Sequence, residues 1–284
     1  MSPGLRLSVI VVSHDSGTWL QRCVAALLEQ GEADEVVVVD NASRDGSLET
    51  LPTDPRLLVL RNADNRGFAV ACNQGAARSR GAQLLFLNPD CEPVPGALGR
   101  LLEIAAATSG LGLLGAQLLN EDGSVQAASR RRTPTPWLAL SALTRSRNAL
   151  EVPPPQAGKS SGVEDVEAIS GALMLVPRML FERLGGFDEA YVLHCEDLDL
   201  CRRVLASGHR VALAPSVRIV HHKGTSSRRR PVWVEWQKHR GMLRYFRKFD
   251  AIASPWWLRL AVPVGVWLRF PFAALRAWGR AVRP

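Results

Sequence analysis

The chain has no paired-cysteine signature. Its five cysteines, Cys23, Cys72, Cys91, Cys195 and Cys201, are odd in number, and none is spaced as Cys-x-x-Cys. This argues against a disulfide framework or a zinc site and predicts reduced thiols in a cytosolic setting. A secretory leader is not expected either, because the apolar run Leu7 to Val12 is short and gives way to Ser13-His14-Asp15. Long hydrophobic runs are missing. In the apolar C-terminal segment the longest charge-free stretch, Leu260 to Leu268, is roughly half of what a membrane span needs. There is no internal repeat. Positive charge is also scarce over most of the chain. Net charge is +8, yet residues 1–222 carry 21 Lys/Arg against 25 Asp/Glu, and residues 223–284 carry 14 against two. A mildly acidic body does not suit a nucleic-acid-binding core, whereas a strongly basic tail fits an anionic surface.

What is present reads as an α/β domain. With 284 residues and 46% hydrophobic composition, the chain can form one large domain, or a domain with an appendage. Short apolar runs predict buried strands at Leu7–Val12, Glu35–Val39, Leu57–Leu60 and Leu84–Leu87. Helical spacing over Trp19–Gln30, Phe68–Arg80 and Leu98–Ala107 separates them, with an apolar strand at Leu111–Leu118. Asn120 to Ser124 predicts a hairpin-type turn, and Pro153-Pro154-Pro155 through Gly162 a loop. Gly171–Val176 and Arg210–Ala214 are further strands, and Pro177–Leu184 a short helix. Alternating strands and helices imply βαβ units and a mostly parallel sheet, whose ligand crevice lies beyond the carboxyl ends of the strands. Asp40 and Asp90 both fall at such ends. A strand-end Asp can merely cap the following turn, but two at equivalent ends point to a shared site.

The densest chemistry lies in Tyr191-Val-Leu-His-Cys-Glu196-Asp197-Leu-Asp199-Leu-Cys-Arg202-Arg203. Three carboxylates within four residues also suit a helix start, since acids there complement the helix dipole. Their company with Asp40, Asp90 and His221, each at the end of an apolar run, favours a site.

Seven segments in order then resemble family 2 glycosyltransferases of the GT-A fold, and among them the rhamnosyltransferase-like branch. They are Val37-Val-Val-Asp-Asn-Ala-Ser-Arg-Asp-Gly-Ser47, Asn65-Arg-Gly-Phe-Ala69 with Asn73-Gln-Gly75, Leu87-Asn-Pro-Asp90, Gly171-Ala-Leu-Met-Leu-Val-Pro177, Gly185-Gly-Phe-Asp-Glu189, Glu196-Asp-Leu-Asp-Leu-Cys-Arg202, and His221 spaced to Gly224 and Ser226. Together they cover residues 7–226, which predicts a GT-A catalytic domain over 1–226 and a basic, Trp-rich helical extension over 227–284. There are departures. Ser13-His14-Asp15 stands where the family more often has Tyr-Asn, Ala71 replaces a frequent Gly, and Asn88 fills the first position of the Asp-x-Asp motif.

The resemblance implies an inverting transfer of a sugar such as rhamnose from a dTDP- or UDP-linked donor to a lipid-linked or polysaccharide acceptor in cell-envelope glycan synthesis. It implies Mg²⁺ or Mn²⁺ at the donor diphosphate, with Asp90 as main acidic ligand beside Asn88. The resemblance implies His221 as the second ligand, in preference to His222; an imidazole ligand would tilt the choice toward Mn²⁺. Asp40 would contact the nucleoside, with Asn65 in support, whereas packing is the better reading of Asn73. Asp197 is expected to be the general base, with Glu196 as its rival or as an orienting group. Asp199 is expected to pair with Arg202 or Arg203 one turn on.

Six of the eight Trp lie after residue 232, interleaved with Arg. Arg269, Arg276, Arg280 and Arg283 recur at helical spacing, so the tail reads as an in-plane amphipathic helix interrupted at Pro263 and Pro271. This places the protein on the cytoplasmic face of the membrane, as a peripheral enzyme. The alternative is a helical cap on the catalytic domain or on a second subunit of a homodimer. Two rival functions remain. A sugar-nucleotide pyrophosphorylase would want a Gly-rich basic loop after the first strand, and Ser13-His-Asp-Ser-Gly17 has one Gly and no Lys or Arg. A non-catalytic membrane adaptor would not need the acidic set to be intact.

Overall fold

The computed structural model describes residues 6–135, 162–222 and 230–282. The proline-rich segment before Gly162, the Gly224 and Ser226 positions and Arg283 lie outside the described residues. The chain runs β1 (Leu7–Ser13), α1 (Thr18–Gln30), β2 (Glu35–Asp40), β3 (Leu57–Arg61), α2 (Phe68–Arg78), β4 (Gln83–Leu87), β5 (Cys91–Pro93), α3 (Ala97–Ala107) and β6 (Leu111–Leu119). It continues through the short strands β7 (Arg130–Arg131), β8 (Glu164–Asp165) and β9 (Ala168–Ile169) to β10 (Leu173–Pro177), α4 (Arg178–Arg183), α5 (Glu196–Ala206), β11 (Arg210–His221), α6 (Pro231–Phe249) and α7 (Trp256–Val282).

The main sheet has the order β3-β2-β1-β4-β10-β6-β11-β5, with β8 added on β11. β1 to β4 are mutually parallel; β10 runs antiparallel between β4 and β6, and β11 is parallel to β6. Strand alternation divides the core. Val9 and Val11 pack with α1 and α3 on one face, and Ile10 and Val12 with α2, α4, α5 and Tyr245 of α6 on the other. Each such fully buried aliphatic side chain stabilises by roughly 2 kcal/mol. Burial on both faces explains why these strands are continuous apolar runs with no polar alternation.

The strand expected at Arg210–Ala214 continues to His221 as one bulged strand, with a register shift between Ala214 and Arg218. The expected interruption of the C-terminal helix is corrected. α7 runs unbroken through Pro263 and Pro271, although each proline removes one backbone donor. Packing holds the adjoining turns: Phe246 of α6 meets Leu258 and Val262, and the Trp236 ring lies 4.6 Å from Trp267 and 5.4 Å from Phe270. Trp256–Arg280 is also long and apolar enough to cross a membrane by length and composition. The charge-free run thus understated the segment, because isolated Arg side chains can reach aqueous layers from an apolar helix.

α6 packs into the main core. Its Tyr245 is buried in the main core, and Lys248 bonds Asp199 at 2.6 Å and Asp188 at 2.8 Å. Just beyond the helix, Asp250 pairs with Arg202 at 2.7 Å.

Candidate active site

The ends of β1, β2, β4, β6 and β11 and the start of β10 converge on one edge of the sheet, so topology gathers there what the sequence scatters. β2 and β4 flank β1, which sets the ends carrying Asp40 and Asp90 about 10 Å apart.

The β1 and β2 loops are stitched together. The Asp15 amide donates to Ser43 Oγ at 2.9 Å, the Gly17 amide to Asp45 Oδ2 at 2.7 Å, and the Arg44 amide to Asp15 Oδ1 at 2.8 Å. Asp40 is buried and accepts the Ser43 amide with both oxygens at 3.2 Å, so it shapes the turn as well as ending the strand. Asn65 is exposed, and its Oδ1 accepts the Gly67 amide at 3.0 Å. Asn73 packs: it exchanges hydrogen bonds of 2.9 Å with the Phe187 backbone and reaches Glu189.

At β4 the Asn88 amide donates to Ala172 O at 2.9 Å, and its carbonyl accepts from the Cys91 amide at 3.1 Å. This tight turn carries Asp90, whose Oδ1 lies 3.3 Å from His221 Nε2. Gln126 orients the histidine. Its amide donates to His221 O at 2.8 Å and Leu119 O at 3.1 Å, which turns its Oε1 to His221 Nδ1 at 3.0 Å. In the neutral ring this places the proton on Nδ1 and leaves Nε2 with a lone pair. Two electron-rich atoms then face each other, an arrangement a cation between them would relieve. Oxygen plus imidazole donors suit Mn²⁺ or Mg²⁺. The nearby Cys91 thiol is a poorer donor, since burial pushes its pKa up and it bonds Ala172 O. His222 points elsewhere, stacked on Trp19 at 4.0 Å and 2.7 Å from Glu121.

The third component is the start of α5. Asp197 Oδ2 pairs with Arg131 at 2.6 Å and accepts the Gly171 amide at 3.1 Å, tying it to the β10 strand start. Glu196 is buried, and its Oε2 has no hydrogen-bond partner among the described residues. Burial, and then the Asp197 charge, raise its pKa to about 8. Asp199 pairs with Arg203, while Arg202 reaches Asp250 instead. His194 and Cys195, which lead into this helix, are both left-handed, with φ of 66° and 73°. That conformation costs of order 1–3 kcal/mol per residue and persists only where surroundings enforce it. Here two glycines let backbone approach the loop. A Cβ on Gly67 would sit 2.8 Å from Val192 O, and one on Gly241 of α6 would sit 3.0 Å from His194 O.

Sequence reasoning missed Gln126 and Arg131. Neither lies in a motif, and both act through a side chain distant in sequence.

Comparison with known proteins fits this geometry. A family model described as glycosyl transferase family 2 matches residues 8–183, more than half of the chain. The chain belongs to glycosyl transferase family 2. It is therefore a glycosyltransferase, and the pyrophosphorylase and adaptor readings give way. The N-acetylglucosaminyl-diphospho-decaprenol L-rhamnosyltransferase of Mycobacterium tuberculosis is 29% identical over 241 residues, covering 79% of this chain and 78% of that enzyme. Among solved structures, the mannosyltransferase PcManGT from Pyrobaculum calidifontis, in complex with GDP-Man and Mn²⁺, superposes with TM-score 0.59 at 21% identity, covering 99% of this chain and 76% of that one. GalNAc-T7 with UDP, GalNAc and Mn²⁺ gives TM-score 0.63 at 18% identity, covering 87% of this chain. This chain spans 48% of that structure's length. At these identities the two structures establish the GT-A fold.

Proposed function

We propose that this glycosyltransferase moves a sugar, with rhamnose the first to test, from a dTDP- or UDP-linked donor to a hydroxyl of a lipid-linked acceptor, with inversion and with Mn²⁺ or Mg²⁺. The observation that carries this reading is the Asp90–His221 pair at 3.3 Å, with the imidazole oriented through Nδ1 by Gln126 Oε1 at 3.0 Å. Asp90 and His221 would hold the ion, with Asn88 alongside, and it would offset charge developing on the leaving diphosphate. Asp40, supported by Asn65, would bind the nucleoside at the neighbouring strand end. The Mycobacterium tuberculosis relative carries a diphospho-decaprenol acceptor in its name, which supports the acceptor class.

Asp197 is proposed as the base. Ion-paired with Arg131 and anchored by the Gly171 amide, it is an oriented carboxylate that can accept the acceptor hydroxyl's proton as oxygen attacks the anomeric carbon opposite the diphosphate. Glu196, with a pKa near 8, holds its own proton at neutral pH and suits hydrogen-bond donation or positioning. α7 is proposed to lie in the membrane plane. One face packs on α6, which is fixed to the body, so a perpendicular span would pull the charges of α6 into lipid. Leu260, Val264, Leu268, Phe272 and Leu275 form an exposed apolar stripe, as expected of an interfacial helix. An enzyme held in this way would work at the cytoplasmic membrane face.

The test is a thermal-shift panel of nucleotide diphosphates and nucleotide sugars with and without Mn²⁺, followed by NMR of the product's anomeric centre. Full transfer after chelation would sink the metal role. A retained configuration would sink direct displacement.

A further inference from the structure

Beside the strand-end crevice lies an open cleft of about 650 Å³, walled by α6, the 190–194 loop and Trp267 of α7. Its α6 wall carries Arg240, Arg244, Arg247 and Lys248, which fall on one face of the helix at three- and four-residue spacing. Two of these cations are already engaged. Arg244 forks onto Asp188 at 2.8 and 2.9 Å, and Lys248 bridges Asp188 and Asp199. Arg240 and Arg247 are exposed and have no ion-pair partner among the described residues. At the floor lies His194, whose Nε2 is buried and without a hydrogen-bond partner among the described residues. His194 is two residues before Glu196, so the cleft opens directly onto the turn that sets the carboxylate pair.

We propose that this cleft binds the diphosphate of a lipid-diphosphate acceptor, with Arg240 and Arg247 as its principal donors. The inference rests on the lipid-linked-acceptor reading and adds where the acceptor's charge is held. Three observations carry it. A diphosphate esterified at both ends carries two negative charges, and two guanidinium groups in the cleft have no acidic partner among the described residues. Guanidinium forks match phosphate oxygens in bidentate geometry. Trp267 lines the cleft from α7, and the same helix carries an exposed apolar stripe that can receive a lipid tail. The sugar of such an acceptor would then extend past His194 toward Asp197, and the donor would stay at the Asp40–Asp90 edge. Acceptor charge and donor charge thus have separate cation sources.

The experiment uses the full chain and the double variant Arg240→Gln/Arg247→Gln. Both side chains are exposed and form no ion pair among the described residues, so the fold should be unaffected; melting temperature checks this. Calorimetry with farnesyl diphosphate as probe should show Kd rising roughly tenfold or more in the variant, as loss of charge-assisted hydrogen bonds implies. Nucleotide-sugar affinity should not change. In turnover, KM for a farnesyl-diphosphate-linked sugar should rise while transfer to an uncharged alkyl glycoside of the same sugar is unchanged. Unaltered farnesyl diphosphate binding overturns the proposal, and so does equal loss on the alkyl glycoside. A third arm measures sedimentation with phosphatidylglycerol vesicles. If the variant loses vesicle binding as severely as diphosphate binding, the arginines contact lipid headgroups generally and the acceptor subsite is wrong. If wild type binds farnesyl diphosphate through these arginines but glycosylates no lipid acceptor, the cleft stands and the proposed activity falls.

Discussion

Replacing Gln126 with Leu would test the metal-site geometry at a residue outside every motif. The substitution nearly conserves volume, and it removes two donated hydrogen bonds, to Leu119 O and His221 O, and one accepted from His221 Nδ1. Gln126 is almost fully buried, so water cannot replace those partners. At about 1 kcal/mol net per bond the loss is about 3 kcal/mol, a large share of the stability of an ordinary domain. At roughly 2–4 °C per kcal/mol for a chain of this size, the melting temperature should fall by about 6–12 °C. Metal affinity should fall separately. Removing the partner that fixes a ligating imidazole typically costs roughly 10–100-fold. The assay is Mn²⁺ titration of activity alongside thermal denaturation. Gln126→Glu separates the effects, because a carboxylate still accepts from Nδ1 but cannot donate to the two carbonyls. It should keep most of the Mn²⁺ affinity while losing stability. If Gln126→Leu titrates with Mn²⁺ like wild type, His221 is not oriented by Gln126, and the case for it as ligand is refuted.

Asp197→Asn should lower turnover by roughly 10²-fold or more with donor affinity little changed; if Glu196→Gln is the variant that binds normally and turns over no product, the base is Glu196. Glu196 also makes a pH prediction. Its folded pKa of about 8 lies above the ordinary 4.5, so its contribution is fully present at acid pH below 4.5 and is lost as pH rises through 8. Wild type should therefore lose melting temperature between pH 5 and 8.5 relative to Glu196→Gln, and parallel curves would show that the carboxyl is not held protonated. A chain ending near Ala253 keeps α6 and should retain donor binding, yet sediment less with anionic vesicles in high salt. Equal partitioning of the two chains would make α7 a structural cap or a subunit contact.

The strands, most helices and the identity of the strand-end acids were legible in the sequence for a local reason. A strand buried on both faces must be apolar throughout, so Leu7–Ser13 and Glu35–Asp40 declare themselves, and the polar residue that ends each run stands out. The Glu196-Asp197 pair was legible because charge clustered against an apolar helix start is costly. The pairing of Asp90 with His221 needed the sheet, since the three-residue β5 that follows Asp90 pairs antiparallel with β11 and sets Cys91 opposite His221. Gln126 and Arg131 were invisible because a lone glutamine and one arginine of three in a row carry no periodic signal; their partners lie 95 and 66 residues away. The tail misled for the converse reason. Proline rules and charge-free run length are local, whereas the continuity of α7 is decided by aromatic packing against α6. The same packing seats Gly241 against His194, so a helix that composition assigns to an extension holds the turn that carries the proposed base.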